Sequence, residues 1–94
     1  MQDATKLARI FRVLSVDTRV RIVQLLKERP LCVNALAAKL DVTPAAVSQH
    51  LRVLRDADLV IPDKQGYYVH YRINENTLAS WKALGEQLLG VEAE

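Results

Sequence analysis

The chain has 94 residues, of which 50% are apolar and 26% charged, and a formal net charge of +2. That bounds it to one small globular domain rather than a disordered chain, and a domain this short buries only about two thirds of its unfolded surface, so its stability is marginal or borrowed from a partner subunit. A membrane span is excluded because no apolar run approaches the ~20 residues needed, an internal disulfide because Cys32 is the one cysteine, and a glycine-rich nucleotide loop because there are three glycines.

The first predicted helix covers residues 4–14. Leu7, Ile10, Phe11 and Leu14 recur at i, i+3, i+4 and i+7, one stripe of a helix. Lys6, Arg9 and Arg12 lie off that stripe, and Asp3 suits its start. Asp17 reads as the N-cap of a second helix over 18–27, with Val20, Val23 and Leu26 on a broad apolar face and Arg19 and Arg21 pointing elsewhere. Pro30 closes it. A short third helix fits 33–40, where Val33, Leu36, Ala37 and Leu40 repeat the same spacing and the alanines allow close approach of another helix. Asp41-Val42-Thr43 is a tight link. Thr43 caps a fourth helix, with Pro44 at its first position, where no N–H is needed. It runs to about Ala57. Val47, Leu51 and Leu54 form its inward stripe, Ala45, Gln49, Arg52 and Asp56 lie opposite, and Ser48 and Arg55 flank them.

The period then changes. Leu59-Val60-Ile61 reads as a short strand stopped by Pro62, Asp63-Lys64-Gln65-Gly66 as a turn, and 67–73 as the return strand of a hairpin. Tyr67, Val69, Tyr71 and Ile73 share one face of that strand, and Tyr68, His70 and Arg72 the other. Asn74 or Asn76 caps a last helix running to about Leu89, striped by Leu78, Trp81, Leu84 and Leu88 and stopped by Gly90. Charge follows the same order. Residues 1–30 carry seven Lys/Arg against three Asp/Glu, 31–72 five against four, and 73–94 one against four. A basic front and an acidic tail permit an anionic partner. The polar start Met1-Gln2-Asp3 does not read as a secretion signal, and with a lone cysteine the expected location is a reducing cytoplasm.

A short helix joined by a tight turn to a longer one is the helix-turn-helix arrangement. Its first helix braces the second, whose N-terminal residues enter the major groove and meet a distinct donor/acceptor pattern at each base pair. The outward residues of helix 44–57 have the chemistry for this. Gln49 can bond an adenine edge bidentately, Ser48 can donate or accept, Ala45 and the Thr43 methyl can meet a thymine methyl, and Arg52 can reach a guanine or a phosphate. The Thr43 hydroxyl and the first-turn N–H groups can receive a phosphate. The hairpin at 63–72 is then a wing along the backbone or minor groove, with Lys64, Gln65 and Arg72 as its polar contacts. No paired carboxylates or nucleophile–base pair is arranged for catalysis, so a non-enzymatic role is expected.

The stretch 17–73 resembles the winged-helix core of the ArsR/SmtB family of bacterial transcriptional regulators. The residues that carry the resemblance are Asp17-Thr18-Arg19-Val20-Arg21-Ile22, Leu31-Cys32-Val33-Asn34-Ala35-Leu36-Ala37, Val47-Ser48-Gln49-His50-Leu51-Arg52 and Gly66-Tyr67-Tyr68-Val69-His70-Tyr71-Arg72-Ile73. The flanking helices fit as well. The resemblance implies a mainly α fold with a small β-hairpin, a winged helix-turn-helix in the order αααα-ββ-α, as a single domain over 1–94. It implies a DNA-binding transcriptional repressor, homodimeric on a partly palindromic operator, with reading helices in successive major grooves about 34–36 Å apart. The terminal helices 4–14 and 75–89 would make the dimer contact, through Leu7, Ile10, Phe11, Leu14, Leu78, Trp81 and Leu88.

Two departures bear on function. Many family members hold metals through Cys-Val-Cys where this chain has Cys32-Val33-Asn34, and a second family site needs histidines in the last helix, which has Glu86 and none. A soft metal wants three or four such ligands, so neither metal nor cofactor is expected. Asp58 stands where the family commonly has glycine, at a cost of ~1 kcal/mol if the backbone is left-handed there.

Other residues have plainer readings. His50 is expected to be packed with one hydrogen bond, His70 to lie on the wing surface, Trp81 to be dimer core, and Tyr67 and Tyr71 to pack in the sheet. Arg9, Arg12, Arg19 and Arg21 read as solvated helix faces, one or two of them reaching phosphate. Cys32 reads as a small buried apolar group. Two rival functions remain: a winged-helix protein-interaction module, and a thiol-based sensor at Cys32, since a helix N-terminus activates a thiolate.

Overall fold

The structure, a computed structural model, describes residues 3–90. Eight elements follow in order: α1 (Ala4–Val13), α2 (Asp17–Glu28), β1 (Leu31–Cys32), α3 (Val33–Leu40), α4 (Pro44–Asp56), β2 (Val60–Gln65), β3 (Tyr68–Ile73) and α5 (Glu75–Leu89). No helix among the described residues is long and apolar enough to cross a membrane.

The helix starts follow local chemistry. Asp3 accepts from the Lys6 N–H at 3.1 Å and caps α1. Thr43 Oγ1 accepts from the Ala46 N–H at 3.1 Å and caps α4. Asn74 Oδ1 accepts from the Thr77 N–H at 3.3 Å and caps α5, which ends at left-handed Gly90. α2 departs from the expectation. Val16 is its N-cap without a side-chain bond, and Asp17 sits inside the first turn, where its charge favours the positive end of the helix and meets Arg21 at 3.6 Å. α1 is also turned from its expected stripe. Leu7, Ile10 and Val13 are buried along an i, i+3, i+6 line, Leu14 is half-buried beyond the helix end, and Phe11 is 43% exposed.

The sheet has three strands, antiparallel in the order β1-β3-β2, not the hairpin alone. Leu31 pairs with Tyr71 and Cys32 with His70. Pro62 does not stop β2. β2 lies on the edge of the sheet, where a missing N–H breaks no ladder bond, and the strand runs on to Gln65. Register from Val60↔Ile73 to Gln65↔Tyr68 leaves Gly66-Tyr67 as a two-residue loop. Gly66 takes φ 64° at its first position, the left-handed conformation that a tight hairpin asks of a glycine. Tyr67 therefore packs on neither face; it is fully exposed at the tip.

The core gathers Ile22 and Leu26 from α2, Leu36 and Ala37 from α3, Val47, Leu51 and Leu54 from α4, and Leu31, Val60 and Ile73 from the sheet. Leu59 joins them at 0% exposure. Its N–H donates to the Leu54 carbonyl, and its own carbonyl accepts from the Asn74 N–H, each at 2.9 Å, tying the end of α4 to the start of α5. Leu78 and Trp81 of α5 rest on this cluster without being buried.

Candidate nucleic-acid interface

The α3–α4 unit is built from two capping events. α3 ends where Asp41 turns left-handed at φ 55°, its N–H donating to the Ala37 carbonyl. Val42 follows with a bond to the same carbonyl, and Thr43 then starts α4. The turn is the predicted Asp41-Val42-Thr43.

α4 has two chemically distinct faces. Val47, Leu51 and Leu54 are at most 1% exposed, an anchorage of about 1.5–3 kcal/mol for each side chain removed from water. Ala45, Ser48, Gln49, Arg52 and Arg55 are all exposed, as is Thr43 at the cap. The predicted rim residues thus come together on one side of one helix. His50 is half-buried between the faces and accepts from Arg19 Nε at 3.3 Å, while Arg19 Nη1 donates to the Val13 carbonyl at 3.1 Å. His50 is packed with one hydrogen bond, as its position predicted. Arg19, read as a solvated cation, instead straps α4 to α2 and the end of α1.

Between α4 and the sheet lies a groove of about 400 Å³ lined by Ser48, Arg52, Arg55 and Tyr71, among others. Arg55 therefore stands with Arg52 as a second cation facing the wing. Only its flanking position on the helical wheel pointed to it.

The wing is less uniformly available than its sequence promised. Lys64 and Gln65 are exposed near the tip. Arg72 is engaged: its Nε meets Asp63 Oδ2 at 2.6 Å across the strand pair, with both side chains a little under half exposed. Tyr67, Tyr68 and Val69 present apolar surface at the tip. His70, expected on the wing surface, sits further in, and Cys32, expected to be buried, is less covered than that. His70 is half-buried with its Nδ1 enclosed and unpartnered among the described residues, and Cys32, opposite it, is a half-buried free thiol. Among the described residues no three His, Cys, Asp or Glu side chains gather to hold a metal ion.

At the other end of α4, Asp58 takes φ 62°, the left-handed conformation expected of it. Of the residues assigned to a dimer contact, Leu7 and Ile10 are buried within the chain. Leu14, Leu78 and Trp81 are half-buried, and Phe11 and Leu88 are exposed at 43% and 49%. α5 has no buried residue.

The sequence pattern of the bacterial regulatory proteins of the arsR family matches residues 17–61. The arsenical resistance operon repressor of Escherichia coli K12 is 40% identical over 75 residues, which cover 79% of this chain and 63% of that repressor. The chain spans between about half and two thirds of the length of the first curated relatives it matches. The crystal structure of a possible transcriptional regulator for arsenical resistance superposes with a TM-score of 0.74 at 38% identity, covering 89% of this chain and 96% of that one. The solution structure of a homodimeric winged helix-turn-helix DNA-binding domain from Mycobacterium bovis, a possible ArsR-family regulator, gives a TM-score of 0.74 at 25% identity, covering 96% of this chain and 83% of that one.

Proposed function

The chain belongs to the bacterial ArsR family of regulatory proteins, and from that premise we propose that it is a sequence-specific DNA-binding transcriptional repressor, acting as one winged-helix unit over residues 1–94. The observation that carries this is the two-sidedness of α4: an inner edge at most 1% exposed and an outer edge of uncommitted polar groups. A helix held so firmly on one side can present the other to the major groove without moving. Gln49 and Ser48 read base edges, Ala45 and the Thr43 methyl meet thymine methyls, and Arg52 takes a guanine or a phosphate. Lys64 and Gln65 of the wing track the backbone. Arg72 contributes by bracing Asp63 and, when that pair opens, by reaching a phosphate itself. The role is one of binding rather than catalysis, and its setting is the cytoplasm.

The proposal includes a homodimer on a partly palindromic operator. α5 and the outer side of α1 leave Phe11, Leu88 and Leu89 uncovered, and the M. bovis domain of the same fold is homodimeric. A second copy would bury these groups, with Leu7, Ile10, Leu14, Leu78 and Trp81 supporting the contact.

Selection of tight sites from random duplexes, followed by anisotropy titrations, tests the reading. Affinity is expected to fall by about 10³-fold or more between 50 and 200 mM salt if six or so phosphates are neutralised. A protein-docking module would select no site and bind duplex at neither salt concentration.

A further inference from the structure

A cleft of about 350 Å³ opens where α1, the turn after α4 and the first turns of α5 meet. Its lining includes none of Ala45, Ser48, Gln49 and Arg52, and no part of the DNA reading uses it. Its lining combines Lys6 and Arg9 of α1, Trp81, Asn76 and Ser80 of α5, and Asp58. The volume is in the range of small-molecule sites; Ile10, Ala57 and Trp81 supply an apolar wall, and the other lining residues are polar or charged.

The lining selects a chemistry. Lys6 and Arg9 are three apart on one helix face, so both heads reach the same space. Among the described residues neither forms an ion pair. A guanidinium with open N–H groups takes a carboxylate in bidentate fashion. Trp81 packs on the core while lining the cleft, offering a flat apolar wall to a planar body. Asn76 and Ser80 are neutral hydrogen-bonding groups. The Asp58 carboxylate also lines the cleft and offsets one of the two positive charges, so the lining matches a single negative charge on a ligand.

One contact links this cleft to the helix that reads DNA. Arg9 Nη2 donates to the carbonyl of Asp56, the last residue of α4, at 3.4 Å. That carbonyl has no partner within its helix, and a carboxylate is a stronger acceptor than a carbonyl. Occupancy would draw Arg9 off the end of α4. Phe11 stands about 160° around α1 from Arg9, at roughly 100° per residue, so a second copy seated on Phe11 leaves the Arg9 side of α1 open, and Trp81, half-buried on its own core, underlies that contact from within the subunit.

We propose that this cleft is an effector site for a small aromatic monocarboxylate, with Lys6 and Arg9 holding the carboxylate, Trp81 the ring, and Arg9 transmitting occupancy to α4. The transmission rests on the DNA reading above; the binding does not.

Trp81 is the one tryptophan in the chain, so its emission reports the cleft directly. Titration of the whole chain with benzoate is expected to change that emission saturably, with a Kd on the order of 1 mM or tighter. Lys6→Gln and Arg9→Gln, each checked for intact circular dichroism, are expected to weaken binding by about tenfold, and inorganic phosphate should leave the emission unchanged. No response to benzoate, an equal response in the double variant, or the same response to phosphate overturns the site. On a selected duplex, benzoate is expected to lower affinity by about fivefold or more in the wild type and less in Arg9→Gln; benzoate binding with unchanged duplex affinity overturns the effector role. A chain that binds no duplex would sink the DNA reading, while the fluorescence arms would still decide the cleft.

Discussion

α4 and α5 are the two longest helices, 13 and 15 residues, each opened by a side-chain cap, yet they are used in opposite ways. α4 sinks Val47, Leu51 and Leu54 into the core, whereas α5 buries nothing and lets Leu78 and Trp81 rest half-covered on top. Both carry an apolar stripe at helical spacing. The stripe of α4 is satisfied by its own chain. That of α5 is only begun, and Leu88 and Leu89 remain in water. An amphipathic helix thus states how much surface it must hide, not whether its own chain or another will hide it.

The largest test of this contrast is Leu51→Ala, expected to cost about 2–5 kcal/mol of unfolding free energy in chemical denaturation, because the cavity would lie in a closed core. Leu88→Ala should cost under about 0.5 kcal/mol in the dissociated subunit and instead weaken self-association in sedimentation; equal losses at the two sites would erase the distinction. Next in size is the outer edge of α4. Gln49→Ala is expected to cost about 1–3 kcal/mol on the selected duplex and to relax preference at one position per half-site, while Lys64→Ala weakens all duplexes about equally. Uniform loss from Gln49→Ala would remove it from base reading. At the end of α4, Asp58→Gly should raise stability by up to ~1 kcal/mol in thermal unfolding, since φ 62° suits glycine better. The smallest effect is expected at the wing. Arg72→Ala should change stability by less than about 1 kcal/mol and lower the salt slope of binding by less than a free cation would, because its charge is shared with Asp63. Lys64→Ala should lower that slope by about one.

Most of the helical plan was legible because caps and spacing act locally. Asp3, Thr43, Asn74 and Gly90 mark helix ends where their chemistry said they would. The two sides of α4 were equally legible, since 3.6-residue periodicity separates Leu51 from Gln49 whatever surrounds them. What escaped depends on distant partners. Leu31-Cys32 is a strand only because β3 passes beside it, and two residues have no period. Pro62 forbids a central strand but not an edge, and the edge is a property of the sheet order. Arg19 reads as a solvated cation and Arg72 as a DNA contact of the wing in sequence, yet His50 and Asp63 claim them from 31 and nine positions away.

The short strand before α3 has a mechanical consequence. Its pairing to β3 fastens the root of the wing to the residue that begins the helix-turn-helix. On the proposed reading, the two parts offered to a duplex resemble the jaws of a caliper whose gap is set by the protein. Lengthening the loop at Gly66-Tyr67 would extend one jaw without changing the angle at which it closes.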